Sequence, residues 1–407
     1  MRIGKFAETN KLSIDTIRHY MDLELIIPEK HNGQYYFDSR CQKDLDDILN
    51  FKSMGFSLND IKTIFFYKGF GMFAAYQEDV YYKALFMDKY KKLENDIDKL
   101  IKIKDKLQIK IENLNLVDST FKEIDPLGID LRNLSFFKCN KCSGNLILMD
   151  GVINNNQVIE GKLKCSCGEE YYIEDGILKV GEVCTKSKVN FNHDFVMEYV
   201  NVTDTSYLDN LRKGFEWMFR KISDCNLNNK VLLELGTGVG FFLRNIYNEI
   251  PDNCLYIAVD HDFDRQKFLK SLFERIDCKK NIIFICSDFL EVPIKEKSVD
   301  IVLDISGTSN YSFEHEDFLL NLVDSYIKDD GYLFGLYILF ENFSTNSLIE
   351  NNYRKNFILK NVKESIGTLK YKSSDEKTWE FVEKGGKYDD YFVEGEKIYT
   401  YSFYGKR

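Results

Sequence analysis

The chain has 407 residues and a formal net charge of −10, long enough for about two to four domains with their own cores and too acidic to coat nucleic acid over its whole surface. Its longest apolar run, near 331–340, is too short to span a bilayer, and the charged start Met1-Arg-Ile-Gly-Lys-Phe-Ala-Glu8 does not read as a secretory signal, so no membrane partner is expected. Ten cysteines, four of them in close pairs, point to metal ligation in a reducing cytoplasm rather than to a disulfide scaffold.

Residues 3–9 read as a short helix, Asn10-Lys-Leu12 as a turn, and 13–21 as a second helix capped by Ser13, with Asp15 in its first turn. Two short helices joined by a tight turn make a helix-turn-helix. Leu25-Ile-Ile-Pro28 ends the pair. Asn32-Gly33 before Gln34-Tyr-Tyr-Phe37 reads as a hairpin. A third helix, with Ser39 as its expected cap, runs to Met54 and stops at Gly55-Phe56. Ser57-Leu-Asn-Asp60 opens a fourth with a serine cap and an acid three residues on. This module, 1–68, resembles the DNA-binding domain of MerR-family transcriptional regulators. The residues that carry the resemblance are Ile3-Gly4-Lys5-Phe6-Ala7, Thr16-Ile17-Arg18-His19-Tyr20, Pro28, Gly33, Tyr36-Phe37, and Met54-Gly55-Phe56-Ser57-Leu58 with Ile61. It implies a winged helix-turn-helix whose second helix enters the major groove of double-stranded DNA at a promoter operator, with the wing gripping the flanking backbone. It also implies Arg18 and Tyr20 as DNA contacts, Thr16 and His19 beside them, Tyr36 on the wing, and Lys30 and Arg40 as neutralisers of phosphate.

After a break expected at Gly69-Phe-Gly71, the stretch 77–115 reads as one long helix. Phe86, Tyr90, Leu93, Ile97, Leu100, Lys104, Leu107, Ile111 and Leu114 recur in steps of four and three, a heptad seam with Lys104 as its polar member. Such a seam needs a mate. In MerR proteins the matching helix pairs antiparallel with its counterpart, which implies a homodimer through the coiled coil. Residues 116–135, with Pro126-Leu-Gly128, read as a linker.

Within 136–181, Cys139-Asn-Lys-Cys142 and Cys165-Ser-Cys167 are separated by twenty-two residues, with short strand-like runs alongside. Two thiolate pairs on facing turns supply a four-sulfur tetrahedron for zinc. Four thiolates leave no open position, so the metal is expected to be structural. Glu169-Glu-Tyr-Tyr-Ile-Glu-Asp-Gly-Ile-Leu178 is similar to the tail of the zinc-ribbon domains that accompany many S-adenosylmethionine (SAM) methyltransferases. Cys41, Cys184, Cys225, Cys254, Cys278 and Cys286 are scattered and read as small apolar residues.

The last region, 189–407, contains Val231-Leu-Leu-Glu-Leu-Gly-Thr-Gly-Val-Gly240, in the order strand, glycine-rich turn, helix start. Such a turn lets a ligand approach the backbone and adds the amide donors of a helix N-terminus. Its Glu-x-Gly-x-Gly-x-Gly form, Glu234 with Gly236, Gly238 and Gly240, resembles the first motif of class I SAM-dependent methyltransferases. Leu255-Tyr-Ile-Ala-Val-Asp260 ends in a carboxylate that can accept both ribose hydroxyls of a nucleoside. Further apolar runs lie at 281–286, 299–304 and 331–340, with helical spacing at 263–276 and 314–327, an alternation that argues a Rossmann-like, doubly wound parallel sheet. The resemblance implies SAM as cofactor, with Asp288 toward the adenine amino group and Phe289 against the ring. A helix over 207–222 is expected at one edge or at the cofactor mouth, a closing strand at 396–404, and a polar, aromatic lid within 370–394. Asp304, Tyr311 and His315 are candidates for catalysis without an assigned role. The whole reads as multidomain α and α/β. It fits a MerR-like regulator whose methyltransferase domain senses SAM or methylates a small-molecule acceptor. It also fits a plain methyltransferase whose N-terminal module serves dimerisation or targeting.

Overall fold

A computed structural model describes residues 1–71, 75–118, 125–181, 191 and 193–407. The chain falls into two compact units, Met1–Phe121 and Lys122–Arg407. No helix among the described residues is long and apolar enough to cross a membrane.

In the first unit, α1 (Ile3–Thr9) and α2 (Ile14–Asp22) flank the expected turn, and the Ser13 hydroxyl accepts the Thr16 N–H at 3.0 Å. Strands β1 (Glu29–His31) and β2 (Gln34–Tyr36) pair antiparallel, with Lys30 opposite Tyr35. Their turn is Asn32-Gly33, both at positive φ (49° and 79°), as a two-residue hairpin loop of this hand requires. Helix α3 (Ser39–Ser53) starts one residue earlier than the sequence suggests. Its cap is Asp38, whose carboxylate accepts the Arg40 and Cys41 N–H groups at 2.9 and 3.0 Å, so Ser39 is already helical. Helix α4 (Leu58–Gly71) opens with a reciprocal cap. Asp60 accepts the Ser57 N–H at 2.9 Å, and the Ser57 hydroxyl accepts the Asp60 N–H at 3.2 Å. The break expected at Gly69–Gly71 lies inside this helix; 72–74 lie outside the described residues. Phe6 stacks on Phe37 (centroids 4.5 Å apart) in a core with Ile17, Tyr20, Leu45, Ile48 and Ile61. Helix α5 (Ala75–Asp118) is 44 residues long, about 66 Å at the helical rise.

The second unit is built on one twelve-stranded sheet. First come β3 (Ile129–Asp130), β4 (Leu146–Asn154), β5 (Gln157–Cys165), β6 (Glu170–Glu174) and β7 (Ile177–Lys179). Helices α6 (His193–Val202) and α7 (Thr205–Ser223) lead into β8 (Val231–Leu235), α8 (Phe241–Ile246), β9 (Leu255–Asp260), α9 (Phe263–Phe273) and β10 (Ile282–Cys286). Then follow β11 (Val299–Ile305), α10 (Gly307–Tyr311), α11 (Leu319–Leu322), β12 (Ile327–Asn342), α12 (Leu359–Thr368), β13 (Lys372–Thr378) and β14 (Lys397–Lys406). The order β10-β9-β8-β11-β12 is parallel throughout, and β14 inserts antiparallel between β12 and β13. This is the Rossmann-like arrangement, with the strand order reversing at β8, where such sheets place a ligand at the carboxyl ends of the strands.

Side chains alternate between two cores. Leu232, Tyr256, Phe284 and Leu303 pack with Met218 of α7, Leu243 of α8 and Phe273 of α9. Leu233, Ile257, Ile285 and Val302 face Leu320 of α11 and Val362 of α12.

Three expectations change. Strand β7 pairs parallel with β10, Ile177 opposite Phe284, so the cysteine-bearing strands extend the same sheet. The segment 116–135 includes β3 and a 3₁₀ turn, Leu131–Phe136, where only a linker was expected; 119–124 lie outside the described residues. The helix expected over 314–327 shrinks to α11 and a 3₁₀ turn, Asp324–Tyr326. Phe318 at its cap position offers no side-chain acceptor, and 314–317 stay exposed.

Candidate functional site

Gly236, Gly238 and Gly240 all adopt positive φ (74°, 60°, 73°), a conformation that favours glycine. A Cβ on Gly240 would also collide with Leu269 Cδ1 of α9. The turn is tied to the end of β9. Gly236 and Thr237 N–H groups donate to Val259 O at 3.0 and 2.9 Å, and the Gly238 N–H donates to Asp260 Oδ2 at 2.9 Å. Asp260 is buried, and its Oδ1 accepts the Asp262 N–H at 2.9 Å. Arg265, which sequence reasoning passed over, lies 3.3 and 3.2 Å from its two oxygens and sits over the Phe191 ring. The carboxylate expected to take a ribose is therefore already engaged by a guanidinium. Glu234 is buried and accepts the Tyr256 hydroxyl at 2.8 Å; burial pushes its carboxyl up to about 8. At the end of β10, exposed Asp288 caps a 3₁₀ turn by accepting the Leu290 N–H at 2.8 Å, and the Phe289 ring faces Gly236.

A chamber of about 360 Å³ opens at this end of the sheet. Glu234, Gly236, Gly238 and Arg265 form one wall. Opposite stand Phe195 and Tyr199 of α6, Tyr207 of α7, and Tyr388, Asp389 and Tyr391. The lid expected within 370–394 thus divides in two. Its first part is the edge strand β13, and its later part lines the chamber. The aromatic content of 388–391 was visible in the sequence, but nothing periodic marked its target.

The three catalytic candidates do not line this chamber. Asp304 is fully buried, and its Oδ1 accepts the Thr308 N–H at 2.7 Å, so it fixes the start of α10; burial raises its carboxyl to about 6. Tyr311 stacks on exposed His315 with centroids 3.9 Å apart.

The four cysteines expected to bind metal converge. Cys139 and Cys167 sulfurs are 3.6 Å apart, Cys142 and Cys165 sulfurs 3.4 Å, and all four lie within 4.8 Å of one another. Zinc–sulfur bonds of about 2.3 Å place tetrahedral sulfurs about 3.8 Å apart, so the cluster can hold zinc with no position left for substrate. Of the other cysteines, Cys41, Cys254 and Cys286 are buried as expected, Cys225 is half-buried and Cys278 is exposed, which corrects its reading as apolar filling; Cys184 lies outside the described residues.

On α2, Arg18 and His19 are exposed and Thr16 is half-buried, its hydroxyl 2.8 Å from that of Ser13. Tyr20 is a correction. It is 2% exposed, within the core, and its hydroxyl accepts the Lys52 ammonium at 3.2 Å. Its position three residues after Ile17, on the buried face, was the available signal. Arg18 lies 3.4 Å from Asp15. On the wing, Lys30 sits over Tyr35, and exposed Tyr36 packs against His31; Arg40 is exposed at the start of α3. Along α5 the seam is bare, with Leu100 64% and Leu107 60% exposed.

Residues 1–67 match the family described as MerR HTH family regulatory protein. The chain thus carries an N-terminal domain of MerR type and, from its strand order, a C-terminal unit with a Rossmann-like sheet. No curated protein matches the sequence. Among solved structures it is similar to the MccD protein (11% identity, 47% of this chain and 97% of that one, TM-score 0.38). It is also similar to a SAM-dependent methyltransferase from Aquifex aeolicus (15%, 52% and 97%, 0.33) and to the cyclopropane synthase MmaA2 from Mycobacterium tuberculosis (9%, 47% and 82%, 0.35). The strand order β10-β9-β8-β11-β12 by itself defines the Rossmann-like fold.

Proposed function

We propose that the chain is a DNA-binding regulator, dimeric through α5 and acting in the cytoplasm, whose C-terminal unit binds S-adenosylmethionine and either senses it or uses it to methylate a small molecule. One observation carries this reading: a MerR-type domain shares a chain with a glycine turn that opens, beside Glu234, onto a lined chamber. Gly236, Gly238 and Glu234 would border the amino-acid end of the cofactor, Asp260 its ribose, and Asp288 and Phe289 its adenine. Bound there, SAM would supply a methyl group activated by a sulfonium. Arg265 would share Asp260 with the ribose hydroxyls. Cys139, Cys142, Cys165 and Cys167 would hold zinc away from the reacting atoms. Arg18 and His19 would enter the major groove, with Lys30, Tyr36 and Arg40 at the backbone.

A second reading, a methyltransferase whose first unit serves only dimerisation or targeting, is favoured by the Arg18–Asp15 ion pair on the recognition helix. Two measurements separate them. Calorimetric titration with S-adenosylhomocysteine should give micromolar or tighter binding; no binding to folded, zinc-loaded protein removes the cofactor reading. Footprinting of the upstream promoter should show a protected site that responds to SAM and disappears in Arg18→Ala. Turnover without any footprint favours the second reading.

A further inference from the structure

Three segments meet over the chamber: α6, the start of α7, and the stretch 385–391. Their closeness is built into the backbone. The Asp204 N–H donates to Gly385 O at 3.0 Å, Thr203 bridges Gly386, and a Cβ on Gly386 would lie 2.7 Å from Thr203 Cα. On the outer side Glu198 accepts the Lys387 ammonium and the Tyr388 hydroxyl, each at 2.8 Å.

The inner side is a set of aromatic faces. Centroids of Phe195 and Tyr388 are 5.3 Å apart, those of Tyr199 and Tyr388 6.1 Å, and those of Tyr199 and Phe241 5.5 Å. Tyr207 and Tyr391 bond through their hydroxyls at 2.7 Å. Among them sits Asp389, whose Oδ2 is shut off from solvent and has no hydrogen-bond partner. Burial pushes this carboxyl above its ordinary value; the Tyr207 and Tyr199 hydroxyls, directed toward the carboxyl group as donors, offset that in part but close no well-aligned bond to Oδ2. A buried, unpartnered carboxylate oxygen is costly, and most so when charged. The nearest remedy is a cation, and ring faces attract cations as well. Among the described residues its walls do not supply a free one: Arg265 is engaged by Asp260, and the other acid, Glu234, takes the Tyr256 hydroxyl.

Resting on the methyl-transfer reading above, we infer that the chamber binds an organic ammonium, and that the methyl acceptor is an amine held by Asp389. An ammonium has no lone pair to donate. Asp389 accepts one N–H proton. The freed nitrogen pair forms the new carbon–nitrogen bond while the methyl carbon's bond to sulfur breaks and its electron pair stays on sulfur. The product is the protonated, N-methylated amine, and the proton on Asp389 passes to solvent.

The test uses the full-length, zinc-loaded protein and a pair of probes alike in shape, tetramethylammonium and uncharged tert-butanol. Each is titrated calorimetrically into free and S-adenosylhomocysteine-loaded protein, in the unmodified chain and in Asp389→Asn. The expected result is that tetramethylammonium binds about ten-fold or more tightly than tert-butanol, and that Asp389→Asn removes this preference while S-adenosylhomocysteine binding is unchanged. If S-adenosylhomocysteine binds but the two probes are not distinguished in the unmodified protein, the amine assignment is overturned and the methyltransferase reading stands. If the cation binds through Asp389 but S-adenosylhomocysteine does not bind, the ammonium site stands and the methyltransferase reading falls. Loss of both overturns both. The comparison within the unmodified chain decides the matter even where the variant folds poorly.

Discussion

Asp260 and Glu234 occupy neighbouring strand ends and have opposite surroundings. Asp260 receives two backbone N–H groups and a guanidinium. Asp260→Ala would leave the Gly238 N–H and Arg265 without that acceptor, each loss worth about 1–3 kcal/mol, and would remove the proposed ribose contact. S-adenosylhomocysteine affinity should fall at least about ten-fold, with far-ultraviolet circular dichroism unchanged; unaltered affinity would take Asp260 out of the site. Glu234 receives one phenol hydroxyl, and burial dominates, raising its carboxyl from 4.5 to about 8. The folded state therefore holds a proton that the unfolded chain has already released. The resulting stabilisation is full below pH 4.5 and is lost as pH rises to about 8. Asp304, raised from 3.8 to about 6, acts in the same direction over a lower window. Melting temperatures should fall between pH 5 and 8, and the fall should be shallower in Glu234→Gln. Equal slopes in the two proteins would mean that Glu234 does not carry the effect.

Among the elements, α5 has its apolar seam exposed from Tyr90 to Leu114, which a solitary helix in water would not sustain. Leu100→Lys with Leu107→Lys would put two more charges beside Lys104 on the seam. Sedimentation should then report a monomer where the unmodified protein sediments as a dimer; a dimer that survives both substitutions would place the interface elsewhere.

The elements also separate what the sequence made legible from what it hid. The seam, the glycine turn and the strand ends were readable because each rests on local periodicity or on a residue type with a fixed backbone use. Helix α11 was overestimated because its apolar spacing was read without asking for a cap. The chamber's far wall was legible only as a polar, aromatic stretch, 370–394; that Tyr388, Asp389 and Tyr391 are the part that lines it was hidden, because they lie in irregular chain held by pairing with Thr203, nearly two hundred residues earlier. Arg265 escaped because its role depends on Asp260, which only the turn into α9 brings within reach.

At the scale of the whole molecule, sequence patterning drew a boundary near residue 181, and hydrogen bonding crosses it. Parallel pairing of β7 with β10 leaves no trace in local composition, yet it joins the thiol cluster's strands to the sheet that ends at the chamber. Side chains reinforce the join. Buried Lys270 of α9 is ion-paired with Asp175 (3.2 Å) and Glu274, and Glu274 also accepts the Leu127 N–H at 2.9 Å. The cysteine-bearing strands therefore act as a selvedge. Without them β10, five buried residues of Ile, Phe and Cys, would present a raw margin of unpaired amides and carbonyls, the kind of edge that recruits a second copy of itself. A fragment cut to 189–407, the natural choice for anyone wanting the glycine-turn region alone, should therefore sediment as a concentration-dependent oligomer, while 125–407 should stay monodisperse. The segment that looks like an accessory is what keeps the parallel sheet from sticking to its own kind.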